Sequence, residues 1–197
     1  MNISGSKKSL APIESRVDAV QTVLQRHGLD TDNFIDTFKD LAFEEWLPQN
    51  GARLIARAWV DEEFKELLLK DGTTAAKSMG FSFPAHHRHF VVLENSAKVH
   101  NVICCTLCSC TVFSIIGLPP DWYKDLEYRA RVVRQSRTVL KEMGLELPKD
   151  TEIKVWDTTT DTRYMVMPQR PSHTVGWDEE NLSNLVTKEA MIGVAVL

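Results

Sequence analysis

From Ile13 to His27, apolar residues recur at Ile13, Val17, Val20 and Leu24, the spacing that lines one side of an α-helix, and Gly28 is placed to end it. A second segment, Phe34 to Trp46, carries Phe34, Ile35, Phe38, Leu41 and Phe43 in a helix-compatible array that Pro48 stops. Asn50 to Trp59 sets Leu54, Ile55, Ala58 and Trp59 on one side of a third helix, and Asp61 and Asp71 stand where side chains cap the two that follow, the second ended by Gly80. The period then changes. Phe90 to Glu94 and Val99 to Cys104 are β-branched or aromatic runs of strand length, a pair joined by Asn95 to Lys98. Asp121, after Pro119 and Pro120, starts a helical turn with Trp122 and Tyr123, and Leu126 to Met143 reads as the longest helix, ended by Gly144. Glu152 to Trp156 and Arg163 to Met167 read as an antiparallel hairpin around a turn at Asp157 to Asp161. Asp178 is placed to cap a last helix reaching Lys188, and Ile192 to Leu197 reads as an apolar terminal strand. The pattern predicts an α+β fold: a tail and helical N-terminal arm over residues 1–48, then a layered mixed α/β globular domain over residues 49–197. Residues 1–12 are polar and expected to be mobile.

Composition narrows the function classes. A net charge of −4 offers no electrostatic case for nucleic acid or an anionic membrane as partner. No apolar run approaches the roughly 20 residues that span a bilayer. The N-terminal MNISGSKKSLAP lacks the apolar core of a secretory signal, so a cytoplasmic location is expected.

All four cysteines of the 197 residues fall within Cys104 to Cys110. Cysteines so close in sequence cross-link distant structure poorly, so metal binding explains them better than disulfides do. Cys105, Cys108 and Cys110 form a C-x2-C-x-C pattern whose last gap is the single residue Ser109. Structural zinc sites usually take two separate pairs, each with two or more residues between the thiolates, and here there is no second pair. A one-residue gap lets one metal take the thiolates of Cys108 and Cys110 with the backbone nitrogens of Ser109 and Cys110 in a plane, capped axially by Cys105. One position then stays open, as catalysis at a metal requires. Because amide nitrogens lose their protons only to a strongly Lewis-acidic ion, the pattern implies a trivalent metal.

The stretch C-T-L-C-S-C, Cys105 to Cys110, resembles the metal-binding signature of nitrile hydratase alpha subunits. The likeness continues through Asn50 to Phe81, VHNVI (Val99 to Ile103), GLPPDWYK (Gly117 to Lys124), EYRARVV (Glu127 to Val133), Lys154 to Pro171 and LVTKEAMIGVAV (Leu185 to Val196). The resemblance implies sulfur ligation by Cys105, Cys108 and Cys110, amide ligation by Ser109 and Cys110, and oxidation of Cys108 to sulfinic and Cys110 to sulfenic acid. It makes Cys110 the nucleophile or base, with Ser109 beside it in the catalytic loop. Thr106 is the residue of the cobalt branch, which favours cobalt(III), with iron(III) as the alternative. The implied partners are a beta subunit, whose arginines complete the site, a nitrile substrate and a metal-inserting activator, in an αβ or α2β2 assembly. The implied fold is a mixed α and β domain with an arm gripping the beta subunit, and this favours an interface role for the arm's aromatic residues.

Other positions bear on the site. His86, His87 and His89 lie where relatives commonly carry a glutamine-containing segment; without cysteine or carboxylate at ligand spacing they read as a solvated or interfacial loop. Cys104 reads as a small buried apolar residue and the arginines of the 126–143 helix as a solvated face. Phe113 and Ser114 stand where relatives usually have tryptophan and proline, which predicts a roomier or differently shaped substrate pocket at Phe113. Two rivals remain: the metal-bearing subunit of thiocyanate hydrolase, which shares the loop, and a non-catalytic zinc or redox-sensing thiolate module.

Overall fold

The computed structural model describes residues 11–108 and 110–197. The expected mobility of the first residues, as far as residue 10, and the ligand role of Ser109 therefore lie outside the described residues. The chain forms two compact units, Met1–Leu41 and Ala42–Leu197.

The first unit holds α1 (Ile13–Arg26) and α2 (Thr31–Asp40), the latter capped by Asp30, whose carboxylate accepts from the Asn33 amide at 3.1 Å. Neither helix buries a residue within the chain. Its apolar stripe is bare, with Phe34 68% and Ile13 59% exposed. A π-helical turn, Leu41–Glu45, follows.

In the second unit α3 (Pro48–Val60) buries Leu54, Ile55 and four small residues. Against it pack α4 (Glu62–Lys70), α6 (Phe113–Ile116) and α10 (Glu179–Leu185). Asp61 and Asp71 cap α4 and α5 (Gly72–Ser78) through the amides of Phe64 and Thr74. The helices cover β1 (His89–Glu94) and β2 (Val99–Cys104), which are followed by α7 (Asp121–Lys124), α8 (Leu126–Val132), α9 (Ser136–Glu142), β3 (Glu152–Asp157), β4 (Thr162–Met167) and α11 (Lys188–Ile192). The result is an α+β fold.

Five expectations are corrected. Strands β3 and β4 exist but form no antiparallel hairpin: β3 pairs parallel with β2 and β4 parallel with β1, in two two-stranded sheets. The intervening Thr158 is spent on the Cys104 carbonyl, to which its amide (2.9 Å) and hydroxyl (3.0 Å) both donate, so the chain changes partner there instead of folding back. β1 and β2, taken by β4 and β3, are not paired with each other. The long 126–143 helix is two, broken at 133–135, with α9 tethered where Arg137 donates to the carbonyls of Leu147, Pro148 and Thr151; the longest helix is α1. The last helix likewise divides: Asp178 caps α10, and Thr187 caps α11 through the Ala190 amide at 3.2 Å. No terminal strand forms, because Gly193 at φ +91° turns the chain away; a Cβ there would lie 2.0 Å from the Asn101 carbonyl oxygen.

At that crossing sits a buried polar clasp. His100 has Nε2 at 2.8 Å from the Gly193 carbonyl and Nδ1 at 3.2 Å from the Asn95 side-chain amide. Both partners are satisfied by the tautomer that donates from Nε2 and accepts at Nδ1. Burial pushes the His100 pKa below its ordinary value, against the pull of the Gly193 carbonyl. The folded chain therefore holds it neutral while the unfolded chain takes up a proton below about pH 6.5. Its contribution is complete above that pH and is lost as the pH falls. The thermal unfolding midpoint is expected to drop between about pH 7 and about pH 5 less steeply in His100→Gln than in the native chain. Parallel pH profiles would contradict this.

Candidate metal centre

Strand β2 ends in Val102, Ile103 and Cys104, all buried, and so delivers the following residues from a fixed base. Cys104 takes the apolar role expected of it, and burial pushes its thiol up to about 12, which keeps it protonated and inert. Immediately beyond, the sulfurs of Cys105, Cys108 and Cys110 all lie within 4.8 Å of one another. Cys105 is buried at the base, Cys108 is exposed and Cys110 is half-buried.

The loop's hydrogen bonds explain this convergence. The Thr106 amide donates to Asp157 at 2.9 Å and its hydroxyl to the other oxygen of that carboxylate at 2.5 Å, while Arg129 donates to its carbonyl at 3.0 Å. The Cys108 amide points back at the Cys105 sulfur, 3.3 Å away. At the far end Tyr123 donates to the Cys110 carbonyl at 3.2 Å, and burial raises its pKa so that it keeps its proton.

Asp157, expected only as the start of a turn, therefore grips the loop from the end of β3. The spacing carried no sign of this, because the partners are 51 residues apart.

Two further residues escaped the sequence reading. Arg163, expected only to begin a strand, is buried and lies close enough to favour charge on Cys110. A cation opening an apolar strand, Arg163-Tyr164-Met165-Val166-Met167, was the available signal. His87, expected in a solvated or interfacial loop, is 3% exposed, and neither ring nitrogen has a hydrogen-bond partner among the described residues. Burial, then Arg163 and His86, push its pKa down to about 3, so it is neutral. His86 and His89 are exposed. Phe113, at the start of α6, packs its ring 4.6 Å from that of His87 and 4.7 Å from that of Trp46. These aromatic rings form a wall two residues beyond Thr111 and three beyond Cys110.

The donor set calls for a cation. The sulfurs of Cys108 and Cys110 stand 2.6 Å apart, longer than the ~2.05 Å disulfide bond. Burial, then Cys108 and Cys105, push the Cys110 thiol up to about 12, and Arg163 only partly opposes them. A bound positive ion would favour the Cys110 thiolate, as metal ligation requires. The 3.3 Å between the sulfurs of Cys105 and Cys108 matches the edge expected between neighbouring ligands held at ~2.3 Å from one metal in square-planar or octahedral geometry. Among the described residues no other group of three or more His, Cys, Asp or Glu side chains forms a candidate metal site.

A family model described as "Nitrile hydratase, alpha chain" matches residues 11–195. The chain is 46% identical over 189 residues to the low-molecular weight cobalt-containing nitrile hydratase subunit alpha of Rhodococcus rhodochrous, covering 96% of this chain and 91% of that one. A solved structure of a double mutant of the Fe-type nitrile hydratase from Comamonas testosteroni Ni1 superposes with a TM-score of 0.88 at 56% identity, covering 96% and 92% of the two chains. Thiocyanate hydrolase subunit gamma of Thiobacillus thioparus is 43% identical over 159 residues, or 76% of this chain and 65% of that one.

If Asp157 fixes the loop, Asp157→Ala should raise the hydrogen-exchange rate of the Thr106 amide by about tenfold or more, the equivalent of one charge-assisted hydrogen bond. Unchanged exchange, read by mass spectrometry, would show that the loop is held by something else.

Proposed function

The chain belongs to the nitrile hydratase alpha-chain family, and from that premise we propose that it is the metal-bearing alpha subunit of a nitrile hydratase, adding water to a nitrile to give the amide. The observation that carries this reading is the convergence of three sulfurs from one short loop at the end of β2.

In this reading Cys105, Cys108 and Cys110, with the amides of Ser109 and Cys110, hold a trivalent ion. When bound, the ion supplies Lewis acidity that draws electron density from a nitrile carbon. Cys110, as sulfenic acid, is the nucleophile or the base toward water, and Cys108 is the sulfinic acid. The carbon gains a C–O bond and the nitrogen ends with both protons. Arg163 stabilises negative charge at Cys110, and Tyr123 holds the Cys110 carbonyl in place. Phe113 lines the substrate pocket, and the neutral His87 behind it adds no competing cation.

Thr106 argues for cobalt(III). Iron(III) is the second reading, favoured by the 56% identity to an Fe-type enzyme. The partner is a beta subunit in an αβ or α2β2 assembly, and the bare apolar face of α1 and α2 supports an arm that is covered by another chain. Metal insertion by an activator and a cytoplasmic location complete the proposal. Among the described residues no helix is long and apolar enough to cross a membrane. Thiocyanate as substrate is a separate reading, supported by the likeness to the gamma subunit of thiocyanate hydrolase.

The complex co-expressed with its beta subunit is expected to release amide from nitriles and to contain about one cobalt per chain, with one or two oxygens added to Cys108 and Cys110. Carbonyl sulfide from thiocyanate without amide formation would establish the rival substrate. Zinc with unmodified cysteines would establish a structural thiolate site. Phe113→Trp adds bulk at the pocket wall. It should lower kcat/KM for an aromatic nitrile by about tenfold relative to a small aliphatic one, the scale of roughly 1–3 kcal/mol for a tight apolar pocket. An equal effect on both substrates would remove Phe113 from the pocket.

A further inference from the structure

The two ends of the cysteine loop are held by different parts of the fold, and one side chain joins them. At the start of the loop Thr106 has all its polar groups engaged: amide and hydroxyl on Asp157, carbonyl on Arg129. At its end Cys110 is held through its carbonyl by Tyr123 of α7. The same guanidinium that donates to Thr106 also donates to the Lys124 carbonyl, one residue beyond Tyr123, at 3.4 Å. Between the two anchored ends Leu107 is 85% exposed.

Arg129 differs from the other cation of its helix. Arg131 pairs with Glu127 and Glu142 on the surface. The hydrogen bonds of Arg129 go to two main-chain carbonyls, and its buried Nε has no acceptor among the described residues. Burying an unsatisfied guanidinium nitrogen costs stability, and ordinary surface charge would not require it.

We propose that Arg129 is a positioning residue for the metal loop. By bridging the Thr106 carbonyl and the end of α7, it fixes the separation between the Cys105 side and the Cys110 side of the claw, and so sets how firmly the ion is held. Its hydrogen bonds among the described residues reach main-chain carbonyls. Lysine places one point charge where the planar fork reaches two carbonyls, so it restores only part of the clamp. This inference rests on the metal reading above.

The test uses the complex purified with its beta subunit, with release of the bound cobalt or iron followed in excess chelator by loss of the sulfur-to-metal absorption. Arg129→Met should release metal about tenfold or more faster than wild type, the scale seen when residues behind metal ligands are removed. Arg129→Lys should fall between, and Arg131→Met, which removes a cation from the same helix, should match wild type. Release at the wild-type rate from Arg129→Met, or equal acceleration in Arg131→Met, would overturn the proposal. A wild-type complex that holds no transition metal would instead sink the metal reading itself. Should Arg129→Met not assemble, Arg129→Lys alone decides, with faster release supporting the clamp and an unchanged rate contradicting it.

Discussion

Three thiol groups held within a few ångströms of one another repel once ionised, and the structure around residues 105–110 is arranged so that this repulsion has one resolution, a cation among them. The cost is visible in Cys110, pushed up to about 12 by burial and by its two neighbours. With a cation among the sulfurs, the same crowding becomes affinity.

The rest of the domain serves to hold that crowding in place. Strand β2 supplies a buried base, and its parallel partner β3 ends in Asp157, which grips Thr106. The turn at Thr158 closes on the Cys104 carbonyl just behind the cluster. Because β4 then leaves to pair with β1, the buried Arg163 comes close enough to Cys110 to favour its charge. What looks like a failure to form a hairpin is thus the step that brings a cation to the site.

Much of this was legible in the residues, for reasons that also explain what was not. Helix and strand positions follow from local periodicity, and the caps at Asp61, Asp71 and Asp178 acted where they were read. Partner choice did not follow, since alternation along Glu152 to Asp157 says which side is buried and not which strand lies alongside. The cysteine cluster was legible because spacing within one loop is itself geometry. Asp157, Arg163 and His87 were not, because they come to the site from segments distant in sequence and their residue types are ordinary for a turn, a strand and a loop.

X-ray absorption at the metal edge of the purified complex reads the donor set at these cysteines. A trivalent cobalt or iron ion bound by three sulfurs together with nitrogen or oxygen donors is expected. A tetrahedral shell of sulfur alone, or an active complex with no metal at these cysteines, would contradict it.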